Sequence, residues 1–222
     1  YNAVTSRIYE DMGMFTCDED MGSDATDLFN YLTGYSTKKS YKKLLVAPVN
    51  LREQMEKLIQ REIEHAKAGN KARIILKMNS LVDMDMIQLL YQASQAGVKV
   101  DLLVRGMCCL RPGIKGVSDN IRVVSIVGRY LEHSRIYYFL NNGNDEVYMG
   151  SADLMPRNLN HRVEVVFPVE NKGQVKFLRD KILETYLKDN VRARVLKTNG
   201  TYERAKPESD AKRFDVQAHF MG

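Results

Sequence analysis

One of the four histidines stands where chemistry is possible. In Glu132-His-Ser-Arg-Ile136 an imidazole and a guanidinium, one residue apart, open an apolar run. Residues i and i+2 of a strand project from the same face, so His133 and Arg135 would leave the sheet edge together. Such a pair can meet one phosphate, with the imidazole at a reacting or bridging oxygen and the guanidinium as a bidentate clamp. A lone His-x-Arg is more often a half-buried histidine held by a carboxylate, here Glu132.

The residues downstream shift that balance. After His133 the chain turns at Asn141-Asn-Gly-Asn144 and returns to Gly150-Ser-Ala-Asp153. A His-x-Lys/Arg strand, a turn and a second strand ending in Gly-Ser-x-Asn/Asp resembles one phospholipase D-like half-site. The small Gly150 would let the backbone approach a phosphate, and the Ser151 hydroxyl could donate to it. Two positions depart from the nuclease and phospholipase pattern: Leu140 stands where that motif has Asp, and Asp153 replaces its Asn. Both count against plain phosphodiester hydrolysis.

Further cations lie nearby in sequence. Arg157, His161 and Arg162 fall in segment 155–164, which reads equally as a solvated basic loop or as an anion site. Arg105 sits at the end of a buried strand, in an otherwise apolar run, and α/β sheets bind ligands at the carboxyl ends of parallel strands. A buried arginine needs an anionic partner, either a ligand or a protein carboxylate such as Asp101 or Asp119. Tyr9 could stack on a base, although by sequence alone it reads as core. The charges between Arg52 and Lys67, such as the Glu53 and Lys57 pair, read as a solvated helix face, and Met55, Met84 and Met86 as core filler. The sequence has no P-loop, dinucleotide fingerprint or HExxH.

These residues need a frame to hold them. Apolar periodicity predicts strands at 43–49, 72–78 and 98–107 with helices at 51–68 and 83–96 between them, a β-α-β-α-β order that implies a parallel sheet covered by helices. Gly69 and Gly97 would close the helices. Strands at 121–127, 134–140, 146–149 and 163–169, a helix at 173–188 and a strand at 191–197 follow, so mixed pairing is expected. A helix could begin within 214–221.

The 222 residues carry a net charge of +5, with ordinary globular composition. The first forty residues hold seven acids against three bases, so the positive charge is concentrated in the remainder, where a polyanion would bind. The shift, beside the polar stretch 33–40, puts a boundary near Ser40, with an acidic arm before it and a basic domain after. The longest apolar run, 136–140, is far short of the ~20 residues that span a bilayer. Three cysteines, two adjacent, suit neither a disulfide framework nor a CxxC zinc site, so a reducing, cytoplasmic compartment is expected. The chain opens on Tyr1 without an initiator Met or secretion signal and is expected to be a piece of a longer protein.

Several stretches together carry a more specific resemblance. Leu102-Leu-Val-Arg-Gly-Met-Cys108, Val117-Ser-Asp-Asn-Ile-Arg122, Ile126-Val-Gly-Arg-Tyr-Leu-Glu-His-Ser-Arg135 and Gly150-Ser-Ala-Asp-Leu-Met-Pro-Arg-Asn158 resemble the C-terminal region of bacterial polyphosphate kinase, the phosphohistidine type. Tyr1-Asn-Ala-Val-Thr-Ser-Arg-Ile-Tyr9 and Leu28-Phe-Asn-Tyr-Leu-Thr-Gly34 are similar to the end of that family's preceding catalytic domain. The resemblance implies an α/β fold with a phospholipase D-like mixed sheet flanked by helices, preceded by the tail of a second similar domain. Residues 1–42 would end the first catalytic domain and 43–222 form the second.

What that family does is then expected of the full-length protein: reversible transfer of the ATP terminal phosphate to inorganic polyphosphate through a histidine upstream of Tyr1, with magnesium whose ligands are not in this segment. This piece alone should be inactive. By resemblance, Tyr9, Arg105 and His133 match nucleotide-contacting positions, with His133 donating a hydrogen bond to a phosphate oxygen or acting as acid toward the leaving group. Geometry adds Arg135, Ser151, Arg157 and Arg162 as candidates for the polyphosphate path. ATP or ADP and polyphosphate are the expected partners, with no specific nucleic acid, a homo-oligomer as the assembled state, and a cytoplasmic site or a peripheral one on the membrane. The rival readings are a phospholipase D-like phosphodiesterase or nuclease half-site, and a basic module that binds a polyanion.

Overall fold

The structure is a computed structural model that describes residues 2–35, 40–207 and 212–222. Part of the polar stretch on which the boundary near Ser40 rests, 36–39, and part of the tail, 208–211, lie outside the described residues.

In chain order, a 3-10 turn at Thr5–Ile8 leads into strand β1 (Tyr9–Glu10) and helix α1 (Glu19–Leu32), where Asp18 caps the helix by accepting from the Met21 amide. Next come β2 (Leu45–Ala47), α2 (Leu51–Lys67), β3 (Arg73–Met78), α3 (Met84–Gln95) and β4 (Lys99–Val104). They are followed by β5 (Ile121–Ile126), β6 (Leu131–Glu132), β7 (Arg135–Phe139), β8 (Glu146–Gly150), α4 (Pro156–Asn160) and β9 (Glu164–Val169). Helix α5 (Lys172–Phe177) continues through a π-helical segment (Leu178–Leu183) into α6 (Glu184–Leu187), and β10 (Ala193–Leu196), β11 (Tyr202–Arg204) and α7 (Val216–Met221) follow. The start signals are visible in sequence: Asp83 caps α3 by accepting from the Met86 amide, and Gly69 and Gly97 end α2 and α3 at φ of +78° and +95°.

Nine strands form one mixed sheet in the order β11-β10-β5-β4-β3-β7-β8-β9-β2. Within this sheet, among the described residues, only β3, β4 and β5 are parallel neighbours. The β-α-β-α-β reading implied a parallel sheet that would include the first strand. Instead β2 pairs antiparallel with β9 at the far edge, and the hairpin strands β7, β8 and β9 stand between β2 and β3. The crossover α2 thus spans strands that arrive later in the chain.

Both faces of the sheet are covered. Ile74, Leu76, Tyr137 and Phe139 pack with Leu51, Met55, Ile59, Met86 and Leu90 of α2 and α3 on one side. Ile75, Ile136 and Tyr138 pack with Leu178, Ile182 and Leu183 on the other. Double coverage explains why the strands read as unbroken apolar runs rather than alternating ones.

Two expectations about the helices change. Met84 is 66% exposed and is not core, whereas Met55 and Met86 are buried. The α2 charges are not all solvated: Glu53 and Lys57 form an exposed pair at 2.6 Å, but Arg61 forks onto Glu146 at 3.0 and 2.9 Å. Arg52 pairs with the buried Asp83, and the buried Glu62 accepts from the amides of Asn141 at 2.6 Å and Arg73 at 3.2 Å. Burial pushes the Glu62 carboxyl above its ordinary pKa.

Two tests follow from this packing. A Cβ on Gly150 would lie 2.2 Å from the Val165 carbonyl oxygen and 2.7 Å from Val166 Cα, both backbone atoms that cannot turn aside. Gly150→Ala should therefore lower stability by about 2–3 kcal/mol in urea unfolding, whereas Gly22→Ala, in α1 with nothing within 4 Å, should stabilise by about 0.5–1 kcal/mol. All three cysteines are free; Cys17 and Cys109 are exposed, and burial pushes the Cys108 thiol up to about 11. A raised thiol pKa keeps sulfur protonated below that pH, and the thiolate is the nucleophile. Iodoacetamide at pH 8, read by mass spectrometry, should modify Cys17 and Cys109 before Cys108.

Candidate active site

The sheet delivers its reactive residues to one end. β3 and β4 finish there, which places Asn79 and Arg105; β7 begins there with Arg135; β8 ends in Gly150, directly opposite Arg135. The loop after β8 supplies Ser151 and Asp153, α4 supplies Arg157, and the approach to β9 supplies Arg162 and Glu164. Tyr9 arrives from β1, which pairs in parallel with β6 through Tyr9↔Leu131 and Glu10↔Glu132. All seven residues singled out from sequence, Tyr9, Arg105, His133, Arg135, Ser151, Arg157 and Arg162, line a single cleft of about 480 Å³.

His133 and Arg135 leave the strand together, as the i and i+2 spacing requires. Arg135 Nη1 lies 3.1 Å from His133 Nε2 and donates to the His133 carbonyl oxygen at 3.0 Å. The carboxylate on the imidazole is not Glu132 but Asp11, whose Oδ2 is 2.9 Å from Nδ1. This contact favours the tautomer with hydrogen on Nδ1, which leaves the Nε2 lone pair toward Arg135. Tyr9 is half-buried rather than core, with its ring edge-on to the imidazole at 4.9 Å between centroids.

Arg105 finds neither suggested carboxylate. Asp101 pairs with Arg73 at 2.9 Å, and Asp119 accepts from the Gly116 amide at 2.6 Å. Arg105 Nε instead donates to Asn79 Oδ1 at 2.9 Å and to the Glu132 carbonyl at 2.8 Å. Among the described residues its two terminal nitrogens have no protein acceptor. Arg157 is exposed and likewise has none among the described residues.

The other two arginines are paired. Arg135 Nε and Nη2 face the two oxygens of Asp153 at 3.2 and 3.4 Å, and Asp153 also accepts from the Asn79 amide at 2.8 Å. Arg162 Nε is 3.4 Å from Glu164, a buried carboxylate that accepts from Ser151 Oγ and from Asn158 Nδ2 as well. The Ser151 proton is therefore engaged by Glu164, and the smallness of Gly150 serves the approach of β9. Four guanidiniums and an imidazole against Asp153 and Glu164 leave the cleft net positive, suited to a phosphate-rich anion. His161 is exposed and does not line it.

Sequence reasoning missed Asp11, Asn79 and Glu164. Asp11 was absorbed into an acidic arm, 122 residues from the histidine it touches. Glu164 had a local signal, since a carboxylate two residues from Arg162 invites pairing. Among the described residues no group of three or more His, Cys, Asp and Glu side chains is placed to hold a metal ion.

A mixed sheet flanked by helices, with His-x-Arg at the start of one strand and Gly-Ser at the end of its hairpin partner, is a phospholipase D-like fold. The phospholipase D family member Nuc from Salmonella typhimurium shares this fold, with a TM-score of 0.51 at 13% identity over 70% of this chain and 97% of that one. The chain belongs to the polyphosphate kinase family: residues 44–217 match the family's C-terminal domain 2 and residues 1–38 its C-terminal domain 1. Polyphosphate kinase from Synechocystis sp. is 54% identical over 220 residues, 99% of this chain and 30% of that protein. The Bacillus cereus polyphosphate kinase is 53% identical over 91% of this chain and 29% of its own length. The crystal structure of polyphosphate kinase from Porphyromonas gingivalis superposes with a TM-score of 0.88 at 42% identity, covering 92% of this chain and 31% of that one. The chain thus spans about a third of the length of the relatives it matches.

The Arg135 fork gives a test of the cleft's charge logic. Asp153→Asn keeps an acceptor for the Asn79 amide but removes the carboxylate that competes with an incoming anion for Arg135. Titration calorimetry with inorganic tripolyphosphate should then show binding several-fold tighter than in the parent protein, with a steeper dependence on salt. Weaker binding would mean that Asp153 is needed to hold the guanidinium in its productive position.

Proposed function

We propose that the cleft is one half-site of an enzyme that moves the terminal phosphate of ATP reversibly onto inorganic polyphosphate. The observation that carries this reading is the convergence of Tyr9, His133 and the open end of Arg105 on one arginine-lined cleft. An aromatic face, two guanidinium nitrogens without protein acceptors and an imidazole beside them suit a nucleotide whose phosphates enter first.

In this reading Tyr9 meets the base or ribose, and Arg105 neutralises phosphate charge. His133, once protonated, donates Nδ1–H to Asp11 and offers Nε2–H to a phosphate oxygen or to the leaving group beside Arg135 Nη1. Arg135, Arg157 and Arg162 line the polyphosphate path. Ser151, its hydroxyl turned to Glu164, borders that path without donating to it. The attacking histidine lies upstream of residue 1, in the other half-site. Its neutral imidazole is a competent nucleophile near pH 7, and the covalent phosphoimidazole divides one hard transfer into two easier ones. Magnesium would supply charge neutralisation between polyanions. The described residues do not fit a protein-held magnesium site, and no step here runs through one.

Assembly as a homo-oligomer and a cytoplasmic location belong to the same reading, with peripheral membrane attachment as an alternative. No described helix is long and apolar enough to cross a membrane. Nucleic acid is not the intended polyanion.

The test uses the full-length enzyme. His133→Ala should lower ATP-dependent polyphosphate synthesis by about 10²–10⁴-fold, and Arg105→Ala by about 10²-fold. The isolated 222-residue chain should show no turnover with ATP and magnesium. Robust synthesis by that chain would overturn the upstream nucleophile. Loss of generic phosphodiester hydrolysis in His133→Ala would favour a nuclease-type half-site, and salt-sensitive polyanion binding indifferent to His133 would leave only a basic binding module.

A further inference from the structure

Helix α7 comes after all the elements that build the cleft, yet one of its side chains reaches the short strand β6 that immediately precedes His133. Gln217 is 7% exposed. Its Nε2 donates to the Tyr130 carbonyl at 2.9 Å and to Glu132 Oε1 at 2.7 Å, while its Oε1 accepts from the Tyr130 amide at 3.1 Å. One amide thereby takes both backbone groups of Tyr130 and one oxygen of Glu132, the residues that flank Leu131 in the two-residue strand β6.

Both functional arms hang from that point. The Glu132 carbonyl accepts from Arg105 Nε at 2.8 Å, and His133 is the next residue, its own amide donating to the Glu10 carbonyl at 3.1 Å. A short strand with one parallel partner of two residues has little rigidity of its own, so its position must be set by side chains. The chain makes room for this one. A Cβ on Gly128 would fall 2.2 Å from Gln217 Oε1, so the loop before β6 admits the amide only because position 128 is glycine.

We propose that Gln217 is a positioning residue for phosphoryl transfer: through Tyr130 and Glu132 it fixes β6, and through β6 it sets Arg105 and His133 against the nucleotide phosphates. The role demands glutamine. Glutamate would place a second carboxylate 2.7 Å from Glu132 in a buried setting and lose both donated bonds, and asparagine would fall one methylene short. This inference rests on the reading of the cleft given above, so its test carries its own control for that reading.

In the full-length enzyme, Gln217→Met keeps the side-chain volume and removes every hydrogen bond. Steady-state kinetics should show kcat for polyphosphate synthesis lowered about tenfold or more, with a smaller rise in the KM for ATP, because small displacements of catalytic groups weigh on the reacting geometry. Val216→Ala, at the buried neighbour in α7, should lower Tm without that kinetic loss. Added to Arg105→Ala, Gln217→Met should cost less than it does alone, since part of its effect passes through Arg105. Parent-like kinetics in Gln217→Met, an equal kinetic loss in Val216→Ala, or full additivity with Arg105→Ala would each reduce Gln217 to a fold-stabilising residue and overturn the proposal. If His133→Ala itself leaves synthesis intact, it is the assignment of the cleft that fails.

Discussion

The Lys77 ammonium, on β3, is almost completely buried and has to be satisfied where it stands. It lies 2.7 Å from Ser134 Oγ and 3.2 Å from each of Glu10 Oε2 and Glu132 Oε2, with the Tyr186 ring 4.8 Å away. Ser134 donates onward to Glu10, and the two carboxylates come from segments more than a hundred residues apart. Successive side chains of a strand point to opposite sides. Glu10, Glu132 and Ser134 turn inward to the lysine, so Tyr9, Asp11, His133 and Arg135 turn outward, where Asp11 meets His133 and the other three line the cleft. The buried ion cluster and the cleft are the two faces of the same strands. Removing the ammonium would leave the buried Glu132 and the half-buried Glu10 facing each other beside a tyrosine whose hydroxyl burial already pushes well above its ordinary pKa.

On the outward side the arginines divide by whether a carboxylate already holds them. Arg135 is forked onto Asp153, which fixes its plane, while Arg162 stands 3.4 Å from Glu164, and each carboxylate offsets the charge beside it. Arg105 and Arg157 keep terminal nitrogens for a ligand. A cleft of four unpaired guanidiniums would repel itself in the absence of ligand. One in which all four were paired would offer an anion no net attraction. The mixed arrangement keeps shape and charge together and leaves Arg105, braced through Nε alone, as the strongest fixed cation for a phosphate.

Much of the frame was legible because double-sided burial writes itself as apolar runs: β3, β4, β5, β7 and β9 lie within the segments read as strands, β8 overruns its segment by Gly150, and the i and i+2 relation of His133 and Arg135 is a local rule. The position of β2 was not legible. Local pattern shows that a segment is a strand, while the edge it joins is decided by hairpins formed later in the chain. Tyr9 and Asp11 were misread for a related cause. Their significance comes from a two-residue parallel pairing with β6, too short to leave a periodic trace. Gly150 was read for its nearness to phosphate, whereas its missing side chain answers to the backbone of β9.

The acidic first segment shows why charge counting alone misleads. Its charge contrast with the rest suggested a separate arm, but Asp24 of α1 is fully buried and accepts from three consecutive amides, those of Lys42, Lys43 and Leu44. Lys43 then bridges Asp18 at 2.7 Å and Glu170 at 2.7 Å, joining the start of α1 to the end of β9, and these contacts hold its ammonium above the ordinary lysine pKa and the Asp18 carboxyl below its own. The Lys43 pairs are exposed enough to weaken with salt. The buried carboxylate of Asp24, bound to backbone amides, is far less screened and specifies one arrangement. Since β1 reaches the Lys77 cluster from the same segment, the residues ahead of the boundary belong structurally to the site. A protein cut at the charge shift would lose Tyr9 from the cleft, Asp11 from the imidazole of His133, and with Glu10 one of the two carboxylates on which its buried lysine depends.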